Sequence, residues 1–159
     1  MLYLKELMRR YALALLRPYY RLSRGMTLGA RVLVLDSEGR ALLVRHSYLP
    51  GWTLPGGGVD AGERLGEAAV RELLEETGIS ATGAPRLHGV FANFTQFPRD
   101  HVAVYVVDAW IMPEDGFRRS LEIVDHGFFS ADELPLDTAP GARRRIAEVL
   151  RAAPVSPDW

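Results

Sequence analysis

The order of patterns along the chain predicts an α/β fold, a mixed β-sheet covered by helices. Three observations point there: strand-like apolar runs on both sides of one central helical stretch, a glycine- and proline-rich segment feeding that stretch, and a closing helix. With 159 residues, 48% of them apolar, the chain can build one sizeable core and is too short for a string of modules.

Each element has its own signal. Met1 to about Tyr20 has helical composition, with Pro18 placed to end or kink it. Ala30 to Leu35 and Ala41 to Arg45 read as strands, and the turn-forming Asp36-Ser37-Glu38-Gly39 between them predicts a hairpin. Ser47 to Gly58 is punctuated by prolines and glycines and reads as a loop. A helix follows from about Arg64 to Thr77, stopped by Gly78. Leu87 to Phe94, His101 to Trp110 and Ile123 to Phe129 are strand candidates, and a last helix spans about Gly141 to Ala152. Ser130 and Glu133 form a capping pair for a short turn.

Composition removes several function classes. There is no cysteine, which excludes a disulfide scaffold, a thiolate zinc site and a cysteine nucleophile. Nineteen basic against twenty acidic residues do not mark a nucleic-acid binder. The balance is uneven, however: residues 1–24 carry +5 and the remainder −6. We therefore divide the chain into a basic amphipathic N-terminal helix, 1–24, and a single domain, 25–159. The longest uncharged run in the first part, Tyr11 to Leu16, is six residues, against the ~20 that a membrane span needs, so the chain reads as cytoplasmic. Three roles stand open for the basic helix: packing on the domain or in a homodimer, contact with an anionic membrane surface, and an arm over an anionic substrate.

The chemistry is concentrated in the central helix. At roughly 100° per residue, Glu72, Glu75 and Glu76 share one face, where like charges weaken an unassisted helix. A positive group should compensate, and Arg71 is adjacent. Gly56, Gly57 and Gly58 lead into the helix and Glu63 stands at its mouth. Glycines allow a backbone to approach a bulky anion, and carboxylate oxygens without sulfur select hard cations, chiefly Mg²⁺ or Mn²⁺. Such ions commonly bind carboxylates together with substrate phosphates, so the segment predicts a divalent-metal phosphate site.

At these residues the sequence resembles the Nudix hydrolase family, whose pattern G-x5-E-x7-R-E-U-x-E-E-x-G-U, with U a bulky aliphatic, is filled by Gly57, Glu63, Arg71, Glu72, Leu73, Glu75, Glu76, Gly78 and Ile79. Leu54-Pro55 before the pattern and Phe128-Phe129 and Glu133-Leu134-Pro135 after it extend the likeness over about Met26 to Ala152. The resemblance implies a Nudix-type α/β/α sandwich that hydrolyses a diphosphate linkage by water attack on phosphorus. It implies Glu72, Glu75 and Glu76 as metal holders, with Gly57 and Glu122 in the same set, and Glu63 assisting from the helix mouth. Arg71 would orient the glutamates. Glu76, Glu75 and Glu122 all stand as candidates for the base that takes the proton of water.

The expected partner is a small nucleotide-like diphosphate. Trp52 and Phe97, set among glycine and proline, are read as substrate contacts, and Arg45 and Arg99 as phosphate contacts. Arg99-Asp100-His101 is placed at a pocket rim. Thr95 and Gln96 stand where some subclasses carry a proline or tyrosine about 16 residues beyond the motif, which leaves a nucleoside triphosphate pyrophosphohydrolase by elimination. The alternatives are hydrolysis of ADP-ribose or a nucleotide sugar, and a nucleotide sensor that keeps the fold without turnover.

Overall fold

The computed structural model describes residues 25–118 and 121–159; the N-terminal helix expected over 1–24 lies outside the described residues. Strands β1 (Thr27–Val34), β2 (Ala41–His46), β3 (Trp52–Thr53) and β4 (Gly56–Gly58) precede helix α1 (Leu65–Thr77). After it come β5 (Ser80–Ala81), β6 (Arg86–Ala92), β7 (Asp100–Val107), β8 (Trp110–Ile111), β9 (Ile123–Phe129) and helix α2 (Pro140–Arg151).

The main sheet is mixed, in the order β4-β1-β7-β6. β1 runs parallel to β7 and antiparallel to β4, and β6 returns antiparallel to β7. A second sheet is antiparallel in the order β3-β2-β9, and β5 pairs with β8. Side chains alternate across each strand, and that alternation divides the interior in two. Ala30, Val32, Val34 and Leu42 pack with Ala68, Ala69 and Leu73 of α1. Leu33, Leu43, Val104 and Phe91 pack with Ala142 and Ile146 of α2. Leu73 and Ile146 are fully buried, each worth about 1.5–3 kcal/mol, which ties both helices to the sheet between them. This is the expected sandwich.

The expected hairpin is corrected. Asp36 does make the turn, accepting the N–H groups of Glu38 and Arg40 at 3.0 and 2.8 Å. Both edges of β1 are already taken by β4 and β7, so β2 pairs with β3 and β9 instead, and a single bridge, Leu35 to Ala41, joins the two runs. The segment read as a loop, 47–58, likewise holds β3 and β4. No helix among the described residues is long and apolar enough to cross a membrane.

Candidate active site

Helix α1 begins with Glu67 accepting from both the backbone N–H and the guanidinium of Arg64, and ends at Gly78, whose φ of 80° suits the left-handed cap. Between these ends the helix turns Ala68, Ala69, Leu73, Glu76 and Thr77 inward. The carboxylate face therefore straddles the edge of the buried stripe. Glu76 lies beneath the β4 turn, Glu72 lies against that turn, and Glu75 is mostly exposed.

The glycines explain the approach. A Cβ on Gly57 would sit 2.5 Å from Glu72 Oε1, and a Cβ on Gly56, at φ 137°, would meet the Ala30 carbonyl. Gly56 N–H donates to Glu76 Oε2 at 2.9 Å. Burial pushes the Glu76 carboxyl up to about 7, against the pull of that N–H and of Arg31. His46, buried on β2, brings Nε2 to 3.5 Å from Glu76 Oε1, and burial keeps its imidazole below the usual histidine range.

Arg71 is the compensating charge. Its Nε and Nη2 donate to the two oxygens of Glu63 at 2.8 and 3.0 Å, a bidentate pair. Nη1 donates to Glu72 at 2.7 Å and to Glu75 at 3.3 Å, and Nη2 also reaches the Gly58 carbonyl at 3.1 Å. These bonds hold the Glu63 carboxyl down to about 2, with help from Asp60 N–H, and raise the pKa of Arg71. Among the described residues, no three acidic or histidine side chains form a ready-made metal centre. The donor set nonetheless fits a hard divalent cation: oxygen only, carboxylates on one helix, and a neighbouring residue without Cβ. Glu122 contributes to the electrostatic environment of Glu76, and its carbonyl accepts Ser47 N–H at 2.7 Å.

Beside Gly57 and Gly58 opens a cavity of about 500 Å³. Its near end includes Arg31 on β1, whose guanidinium donates to the carbonyls of Leu54 and Gly56. Its far end is lined by Asn93, Gln96, Phe97, Asp100 and Trp159, while Tyr48, which feels the charges of Glu122, Glu76 and Arg31, lies towards the carboxylates. Asp100 organises that end, accepting from Thr27 Oγ1 and Asn93 Nδ2, both at 2.7 Å, while Asn93 O takes the N–H groups of Gln96 and Phe97. Phe97 and Asp100 line this cavity, whereas Arg99 and His101, read with Asp100 as a pocket rim, are outside the lining. Trp52 does not line it either: it is 9% exposed and edge-on to Phe129 in the core, so its reading as a substrate contact is corrected. Arg45, exposed on β2, and Arg99, whose carbonyl accepts Thr27 N–H, are outside the cavity lining. Sequence reasoning missed Arg31, His46, Asn93 and Trp159. A signal existed for Arg31, a lone charge within an apolar strand.

Residues 25–150 match the family model described as NUDIX domain. The chain belongs to the Nudix family. As a Nudix pyrophosphohydrolase it cleaves a diphosphate linkage, and enzymes of the family are in general divalent-metal dependent. A Bacillus subtilis protein named "Putative 8-oxo-dGTP diphosphatase" is 35% identical over 127 residues, covering 80% of this chain and 82% of that protein. Human "Diphosphoinositol polyphosphate phosphohydrolase 3-alpha" is 41% identical over 81 residues, half of this chain, and the match spans 48% of that longer protein. The crystal structure of a MutT Nudix hydrolase from Burkholderia pseudomallei superposes with a TM-score of 0.67 at 26% identity, covering 77% of this chain and 97% of that one.

Proposed function

We propose that this Nudix hydrolase is a nucleoside triphosphate pyrophosphohydrolase that uses Mg²⁺ or Mn²⁺. The observation that carries this reading is the cavity running from Gly57 and Arg31 to Asn93, Gln96 and Phe97. One end adjoins the carboxylate helix and offers a cation to phosphate, and the other offers hydrogen-bonding groups and aromatic faces to a base. The 8-oxo-dGTP named for the Bacillus relative belongs to the same substrate class.

Glu72, Glu75 and Glu76, with Gly57 through its backbone oxygen and Glu122, would hold the ion. A divalent cation there supplies charge neutralisation on the phosphate oxygens. A water oxygen attacks phosphorus, the bridging P–O bond breaks, pyrophosphate leaves with the bond's electrons, and the water's proton passes to a carboxylate. Glu76 is the best-placed base, since Gly56 N–H fixes its orientation beneath the turn. Arg71 and Glu63 position the glutamates rather than touch substrate. Arg31 orients the phosphate chain.

Purified protein with either ion should convert a nucleoside triphosphate to monophosphate and pyrophosphate faster than it cleaves ADP-ribose or nucleotide sugars. Preference for those compounds would overturn the triphosphate assignment, and binding of a nucleotide with no turnover of any compound would favour a sensor. The division at residue 24, a cytoplasmic location and the role of 1–24 belong to the same reading. Deleting 1–24 and finding a dimer dissociated supports packing, whereas loss of liposome binding alone supports membrane contact.

A further inference from the structure

Residues 153–159 lie beyond the stretch matched to the family, yet buried polar contacts fasten them to the domain. Ala92, at the end of β6, donates to the Pro157 carbonyl at 2.9 Å and accepts Trp159 N–H at 2.8 Å, so this strap adds a short parallel pairing to that strand. Glu148 on α2 is buried and accepts from Ser156 N–H at 2.9 Å and Arg145 Nη2 at 2.6 Å, while its second oxygen meets His88 Nε2 at 2.8 Å. Arg145, with no exposed surface, lies 3.5 Å from the centre of the Phe91 ring and also donates to the Asp158 carbonyl at 3.3 Å. A buried charged network of this kind holds a fixed geometry when its members are partnered. Here it fixes the backbone that carries Trp159.

The indole has a built seat. A Cβ on Gly141, in the first turn of α2, would lie 2.5 Å from Trp159 Cε2, so the ring rests directly on the glycine. The same residue lines the far end of the cavity with Asn93 and Phe97.

We propose that Trp159 is a specificity-determining residue of the pyrophosphohydrolase, an aromatic wall against which the nucleobase packs, held in place by the strap of residues 153–159. The inference rests on the nucleotide reading above. An aromatic face accepts every base, because each base has a π-face, so the specificity it confers is for a triphosphate that carries a base over one that lacks it. The wall stands on the strap beside β6 and not on helix α1, so it should act on binding and leave the chemical step alone.

The test compares a nucleoside triphosphate with ribose 5-triphosphate, which lacks the base, in the full chain and its Trp159→Ala, Trp159→Phe and Gly141→Ala variants. Trp159→Ala should raise KM for the nucleotide at least about tenfold with kcat within about twofold, and leave ribose 5-triphosphate unaffected. Trp159→Phe should restore most of the loss. Gly141→Ala should reproduce it, since the added methyl group takes the space of the indole and displaces the ring from its seat. An unchanged nucleotide KM in Trp159→Ala, or an equal rise for both compounds, overturns the proposal while the hydrolase reading stands. If the parent protein turns over neither compound, the hydrolase reading fails separately, and fluorescence titration with a nucleoside monophosphate decides. Quenching present in the parent and lost in Trp159→Ala supports the wall; equal quenching in both overturns it.

Discussion

Arg71 donates to Glu63, Glu72 and Glu75 at once, and that single guanidinium relieves a crowding of charge which would otherwise weaken the helix. Arg71→Ala should therefore lower turnover by roughly a hundredfold through misplaced carboxylates, and lower the melting temperature by several degrees. Steady-state kinetics and thermal melting check the two effects, and a loss of stability without a loss of rate would separate Arg71 from the site. Glu63→Gln makes a distinct prediction in pH. The folded Glu63 titrates at about 2 rather than 4.5, so its ionic partnership contributes stability above the unfolded value and loses it as pH falls through the folded one. The variant should melt below the parent at pH 7, and the gap should close between about pH 4.5 and 2. A gap independent of pH would mean that packing, not charge, supports the pair.

Among the elements, the β4 turn makes a sharp demand at the site, because Glu72 occupies the space where a Gly57 side chain would begin. Gly57→Ala should displace that carboxylate, cost about 1–3 kcal/mol of stability by overpacking, and raise the metal concentration needed for half-maximal rate. Denaturant melts and a metal titration measure both; an unchanged titration would show that Glu72 has room to give. Helix α1 was legible in the sequence from cap to cap because its period, its stop at Gly78 and its acidic face are local properties. The pairing of β1 was not, since the turn at Asp36 also favours a hairpin and only the competing claims of β4 and β7 decide against it. Trp52 misled for the same reason: glycine and proline neighbours signal a loop, whereas the packing of Phe129 is a long-range fact. Asn93 meets Asp100 only because their loop closes on itself. Trp159 reaches the cavity only through a strap that no local pattern announces.

At the scale of the whole molecule, the packing of the described sheets and helices brings a carboxylate helix, a glycine turn and a cavity into one neighbourhood. We infer that those carboxylates act with a divalent ion on a diphosphate. That role is tested by pyrophosphate release from a nucleoside triphosphate by the parent and by Glu76→Gln, each with Mg²⁺ or Mn²⁺ and again with a chelator. If that role holds, release by the parent should depend on the ion, stop with the chelator, and be at least about a hundredfold slower in a folded Glu76→Gln protein. Release that persists in the chelator, or an undiminished rate in Glu76→Gln, would contradict it.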